Sequence, residues 1–254
     1  MRENLVKKKW RENQPVALGW LSAVDGYMVE TMARAGFDAL VLDMQHGMAI
    51  GPDRAAAALQ VIGQTDVVPV VRVPWNDPVP IQYVLDAGAY GVIVPMVNTE
   101  EEARKAVGAC RYPPIGYRSN GANRARAYAG ADYFAHANQE VICLVMIETA
   151  EAVENLEAIA SVPGVDGFYI GPTDLAISMG LEPRMDHPDP RHVAACQKVV
   201  DAARAHGLYA GIHVSGPEEA RRRFAQGFNF SPIGSDVGFV AMGAHRALDA
   251  FREP

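Results

Sequence analysis

Eight short runs of nearly continuous hydrophobic residues recur along the chain, separated by stretches with helical periodicity. They are VALGWLS (16–22), DALVLDMQ (38–45), VVPVVRVP (67–74), GVIVPMV (91–97), VICLVMIE (141–148), GFYIGP (167–172), YAGIHV (209–214) and FNFSPIG (228–234). Strands with one wet face alternate apolar and polar positions, whereas runs like these mark strands buried on both faces of a parallel sheet. The intervening segments carry helix signals. Thr99 and Glu102 form a capping-box pattern before EEARKAVGAC, and TAEAVENLEAIA sets Ala152, Leu156 and Ile159 on one apolar stripe. Gly36, Gly88 and Gly227 stand where a helix end hands over to the next strand. Eight strands alternating with helices predict an α/β fold, a (β/α)8 TIM barrel forming a single domain over 1–254. The longest irregular segment, RYPPIGYRSNGANRARAYAGADYFAHANQE (111–140), predicts a lid, a binding loop or a subunit contact.

Composition narrows the function. At 254 residues and 49% hydrophobic, the chain can bury one large core. A net charge of −7 argues against nucleic-acid and anionic-membrane partners. The basic start (Lys7, Lys8, Lys9) is followed by no apolar run of signal-peptide length, and no stretch is long enough to span a membrane. Cys110, Cys143 and Cys196 form no CxxC pair, which predicts reduced thiols and a cytoplasmic protein. The only other lysines are Lys105 and Lys198, and none of the five falls on a predicted strand, so a Schiff-base lysine is not expected. A nucleotide cofactor and serine-hydrolase chemistry are not expected either, since no Walker loop, strand-linked GxGxxG or GxSxG is present.

Barrel chemistry sits at the C-terminal ends of the strands. Read in order, those ends supply Asp43, Gln45 and His46, then Arg72, Asn98, Glu148, Thr173 and Asp174, His213, and Ser235 with Asp236. Glu148 and Asp174 end neighbouring apolar strands, where two carboxylates repel unless a cation lies between them; they are the candidate ligands of Mg²⁺, Mn²⁺ or Co²⁺. The alternative is that each caps the helix that follows it. Met146 falls on the same strand face as Glu148, one layer deeper. His46, beside Asp43, is the candidate general base. Arg72 interrupts an apolar strand and needs an anion, either a carboxylate such as Asp86 or a substrate oxyanion. The segment GPTD (171–174) reads as a turn into a helix N-terminus whose free N–H groups could hold a substrate carboxylate.

The segments FDALVLDMQHG, PVVRVPWNDP, VLDAGAYGVIVPMVNTEEEA, RYPPIGYR, IETAEAVENLEAI and GVDGFYIGPTDLAISMG, in this order across most of the chain, resemble the HpcH/HpaI family of metal-dependent (class II) pyruvate aldolases. The resemblance implies a (β/α)8 barrel, with Glu148 and Asp174 as metal ligands and His46 as acid/base. It implies Arg72 on the substrate keto oxygen, Asp86 as an assisting carboxylate, and backbone amides around Gly171, Thr173 and Asp174 on the pyruvyl carboxylate. It further implies a homo-oligomer, trimer or hexamer, with the C-terminal helix, VGFVAMGAHRALDAF, packed on a neighbouring subunit. The chain departs from the family pattern at three positions: Met146 where Gln is common, His213 where an apolar residue is common, and Gln45 where Glu is common. Met146 and His213 therefore enter as substrate-binding candidates.

The expected reaction is reversible cleavage of a 4-hydroxy-2-oxo acid to pyruvate, or a close relative such as hydroxypyruvate, and an aldehyde, through a metal-stabilised enolate. His46, oriented by Asp43 or Asp86, would move the protons, and Arg118 and Arg124 on the long segment could meet an anionic acceptor. Two alternatives use the same residues: a 2-oxo acid decarboxylase of the oxaloacetate-cleaving kind, and a non-enzymatic barrel that binds 2-oxo acids.

Overall fold

Each of the eight apolar runs forms a strand in the computed structural model, which describes residues 1–48 and 50–252. The strands are β1 (Val16–Leu21), β2 (Ala39–Asp43), β3 (Val68–Arg72), β4 (Gly91–Val94), β5 (Ile142–Ile147), β6 (Gly167–Ile170), β7 (Tyr209–Ile212) and β8 (Phe230–Ser235). They are parallel, pair in sequence order and close as β8 pairs with β1. The first half of the chain carries α1 (Leu5–Arg11), α2 (Gly26–Ala33), α3 (Pro52–Ile62), α4 (Pro78–Asp86), α5 (Glu100–Cys110), α6 (Asn123–Ala129) and α7 (Tyr133–Glu140). The second half adds α8 (Ala150–Glu154), α9 (Leu156–Ala160), α10 (Pro172–Ser178), α11 (Pro190–Ala205), α12 (Pro217–Ala225) and α13 (Asp236–Arg252).

The strands are continuous hydrophobes because both faces are covered: one packs into the barrel interior and the other under the helices. The capping box forms as expected, with Thr99 Oγ1 accepting from the Glu102 N–H and the Glu102 carboxylate accepting in return from Thr99. Gly36, Gly88 and Gly227 all adopt φ near +100°, the left-handed conformation that ends a helix and frees the chain to enter the next strand. Helix α1 closes the N-terminal end of the barrel, where Trp10 stacks on Tyr209 at 4.4 Å between ring centroids. Its cap, Asn4, is fully buried, accepting from the Val6 and Lys7 N–H groups and donating to Tyr90 and Glu140 carbonyls.

Two expectations change. The 111–140 segment is not an open loop throughout, because α6 and α7 occupy its second half and bury Ala125, Ala129, Tyr133 and Ala137. The stripe in TAEAVENLEAIA is buried at Ala152, Leu156 and Ile159, but the helix divides at Asn155 into α8 and α9. Asn155 donates its side-chain amide to the Asn98 carbonyl, which draws that corner toward the loop after β4.

Candidate active site

Strand register creates the first half of the site. Asp43 and Arg72 are paired positions on β2 and β3, each the last residue of its strand. Their side chains meet in a forked ion pair, Nε donating to Oδ1 at 2.9 Å and Nη2 to Oδ2 at 2.5 Å. Asp43 also accepts from the backbone N–H groups of Gln45 and His46 at 3.1 Å and from the Trp20 indole at 3.3 Å. Burial alone would raise the Asp43 pKa, but its hydrogen bonds and the Arg72 charge outweigh that and hold it below the ordinary carboxylate value. The guanidinium lies over the Trp20 ring, 4.9 Å from its centroid. Its Nη1 and one Nη2 hydrogen remain outside the fork, and Arg72 lines a cavity at the mouth of the barrel.

The second half comes from β5 and β6. Glu148, the residue after β5, is 2% exposed, and its Oε1 accepts from the Met96 N–H at 2.8 Å. Met96 takes a left-handed conformation, φ 54°, uncommon for a residue with a side chain; the turn after β4 is thereby bent so that its amide addresses Glu148. Burial, with added repulsion from Asp174, pushes the Glu148 carboxyl up to about 7, against the pull of the Met96 amide and Arg72. Neither acid is a helix cap: Thr149 caps α8, and the cap of α10 is Gly171, with Asp174 inside the first turn and exposed. A Cβ at Gly171 would stand 2.4 Å from Glu148 Oε2, so glycine there leaves the room the carboxylate occupies.

Between the two halves lies a cavity of about 130 Å³ lined by Arg72, Met146, Tyr169, Gly171, Thr173, Asp174, Met185 and His213, with Pro172 completing the wall. Met146 and Tyr169 are register partners on β5 and β6. His213 follows β7, and its Nδ1 lies 2.8 Å from the Tyr169 hydroxyl. Its ring meets Trp20 edge-on at 4.7 Å. Burial, with the Arg72 charge acting the same way, lowers the His213 pKa to about 4, so its imidazole is neutral at neutral pH.

Several expected neighbours sit elsewhere. Arg72 takes its carboxylate from Asp43 and not from Asp86. Asp86 ends α4, on the side of the barrel where β4 begins, and pairs there with Arg118 at 2.6 Å. Arg118 is fully buried, donating also to the Tyr133 hydroxyl, and Arg124 donates to the Leu59 carbonyl beside Tyr128; neither lines the cavity at the barrel mouth. His46 is exposed at the mouth, and Asp43 holds its backbone N–H and not its ring. Asn98 ties loops together, accepting from Thr149 Oγ1. Asp236 is buried and accepts from the Ser22 and Ala23 N–H groups, closing the seam between β8 and β1. Trp20, Tyr169 and Met185 escaped the sequence reading. Strand parity could have found Tyr169, two residues before Gly171 on the inward side, but nothing in the sequence brings Met185, on an irregular connection, to the cavity.

Among the described residues no group of three or more His, Cys, Asp or Glu side chains gathers to hold a metal. Glu148 and Asp174 fit a hard divalent ion in a different way, as two oxygen donors that leave the remaining positions to water and substrate. The raised pKa of Glu148 fits as well, since a buried carboxylate pressed by a second one is relieved by a cation.

A parallel barrel with acid, base and guanidinium groups at one mouth defines a TIM-barrel enzyme. Residues 17–242 match the family model described as HpcH/HpaI aldolase/citrate lyase. The chain is 40% identical over 245 residues to a hydroxypyruvate/pyruvate aldolase of Rhizorhabdus wittichii, covering 96% of this chain and 97% of that one. It is 38% identical over 239 residues to a 5-keto-4-deoxy-D-glucarate aldolase of Shigella dysenteriae, covering 92% and 91%. A crystal structure of a family protein from Burkholderia cenocepacia superposes with a TM-score of 0.91 at 33% identity, over 98% of this chain and all of that one. This chain belongs to the HpcH/HpaI aldolase/citrate lyase family and is a carbon–carbon lyase of the aldolase type.

Proposed function

We propose that the protein is a divalent-metal-dependent aldolase that reversibly cleaves a 4-hydroxy-2-oxo acid to an aldehyde and either pyruvate or hydroxypyruvate. The reading is carried by the buried Glu148 carboxylate, packed against Gly171 and repelled by Asp174, at the mouth whose cavity Arg72, Gly171 and Asp174 line. Glu148 and Asp174 would hold Mg²⁺, Mn²⁺ or Co²⁺, which supplies Lewis-acid polarisation of the keto oxygen. The first-turn N–H groups of Thr173 and Asp174 orient the 2-oxo acid carboxylate. Arg72, fixed by Asp43, presents its remaining N–H groups to the keto oxygen and stabilises the charge that collects there. His46 takes the proton of the C4 hydroxyl, directly or through water. The C3–C4 bond breaks, its electron pair moves to the C2 oxygen as an enolate, and the aldehyde departs. Proton return at C3 completes the 2-oxo acid.

Assembly as a homo-oligomer belongs to the same reading. Helix α13 leaves Val237, Val240, Met242, Leu248 and Phe251 exposed along one element, an apolar surface suited to a neighbouring subunit. Small-molecule substrates fit a cavity of this size, whereas a site for Asp86 in the reaction finds no support within one chain.

The test is hydrogen–deuterium exchange at the pyruvate methyl group in Mn²⁺-loaded protein, followed by aldol addition to an aldehyde panel. Exchange and a 4-hydroxy-2-oxo acid product are expected. Binding of pyruvate without exchange would leave only a binding barrel, and carbon dioxide release from oxaloacetate without aldol product would leave a decarboxylase.

A further inference from the structure

His213, the residue after β7, has surroundings that give it a defined task. Tyr169 is fully buried, and burial keeps its phenol un-ionised. Its hydroxyl makes one hydrogen bond among the described residues, to His213 Nδ1. A buried phenol with a single partner directs its proton there, since the opposite arrangement would leave the O–H without an acceptor. His213 Nδ1 is therefore an acceptor, and the ring hydrogen resides on Nε2.

That Nε2–H has no partner among the described residues, and it is not among the buried, unsatisfied side-chain atoms. The ring that carries it lines the mouth cavity, with the indole of Trp20 packed edge-on against it and Tyr169 stacked on Trp20 in turn. The neighbouring cavity walls at Met146 and Met185 offer no N–H or O–H. The imidazole is thus a neutral, single-direction donor with a fixed tautomer, standing among thioethers a short way from the free edge of Arg72.

We infer that His213 donates its Nε2–H to a hydroxyl oxygen carried by the substrate, and so selects hydroxylated over deoxygenated reactants in the aldol reaction. The inference rests on the aldolase reading above. A hydroxyl at this place has two sources, C3 of the 2-oxo acid or the carbon next to the aldehyde. Either source meets the same donor, and a substrate lacking it leaves the N–H unpaired in a partly apolar pocket, the arrangement that discriminates best between such analogues. Tyr169 acts as a positioning residue, holding the tautomer without touching the substrate.

The test compares wild type, His213→Phe and Tyr169→Phe, each loaded with Mn²⁺. One arm measures kcat/KM with hydroxypyruvate and with pyruvate at fixed aldehyde. The other uses glycolaldehyde and acetaldehyde at fixed pyruvate. His213→Phe is expected to reduce the preference for the hydroxylated member by about tenfold in one arm, which identifies the source of the hydroxyl. Tyr169→Phe is expected to reduce the same preference by a smaller factor. Imidazole ¹⁵N spectra of the Mg²⁺-loaded protein, which report the tautomer independently of turnover, are expected to show protonated Nε2 and bare Nδ1 in wild type and a mixture in Tyr169→Phe. Unchanged preferences in both arms, an equal fall with all four substrates, or a protonated Nδ1 in wild type would each overturn the inference while leaving the aldolase reading intact. A wild type that fails to exchange the pyruvate methyl protons would take both down.

Discussion

Asp43 and Arg72 end adjacent strands at paired register positions, and the carboxylate occupies one edge of the guanidinium through two N–H groups. The arrangement does two things together. It neutralises an arginine that would otherwise sit uncompensated at the top of an apolar strand, and it aims the unused N–H groups into the cavity.

Arg72→Ala should therefore reduce hydrogen–deuterium exchange at the pyruvate methyl by about 10²–10³, the usual effect of removing one oxyanion-stabilising donor. Arg72→Lys should recover little, since an ammonium cannot bridge both oxygens of Asp43 and still reach the substrate. Exchange followed by proton NMR checks both, and near-normal exchange in Arg72→Ala would remove the role assigned to it.

Glu148 links stability to pH. In the folded chain without metal its pKa is about 7, above the ordinary value of 4.5. Between those values the native state keeps a proton that the unfolded state has released. Stability from this group is thus fully present below about pH 4.5 and is lost as pH rises through 7, by about 3 kcal/mol at most. Urea denaturation in EDTA should show wild type losing more stability between pH 5 and pH 8 than Glu148→Gln, and Mn²⁺ at pH 8 should restore wild type but not the variant.

Gly171→Ala should weaken Mn²⁺ binding by about tenfold or more, because the new Cβ would press on Glu148 Oε2 and displace a ligand. Overpacking of this kind costs roughly 1–3 kcal/mol in stability, so the variant should still fold. Calorimetric titration with Mn²⁺ beside a melting curve separates the two effects; wild-type affinity would mean that Glu148 shifts freely.

Asp86→Ala should destabilise the protein by about 3 kcal/mol, since Arg118 is fully buried and Asp86 is the carboxylate it pairs with. Asp86→Asn, which keeps a hydrogen-bond acceptor for the guanidinium, should lose less. Denaturant midpoints decide it, and a neutral Asp86→Ala would show the pair to be replaceable by water.

The eight strands, their order and the barrel they close were legible in the chain, because strands buried on both faces must be apolar throughout and parallel neighbours need a helix between them. The strand ends likewise marked Asp43, Arg72, Glu148 and His213, since a polar residue that terminates a buried strand has few other places to be, whereas Asp174 lies beyond the end of β6, in the first turn of α10. What the sequence could not express was pairing across it. That Arg72 chooses Asp43 over Asp86 follows from strand register, and that Arg118 is buried follows from how α6 and α7 pack a segment which reads as loop. The tautomer of His213 depends on Tyr169, 44 residues away. Local pattern fixes which residues are apolar and which are chemically able. Only closure of the barrel brings distant side chains within the 3 Å over which hydrogen bonds and ion pairs act, and so decides which of them work together.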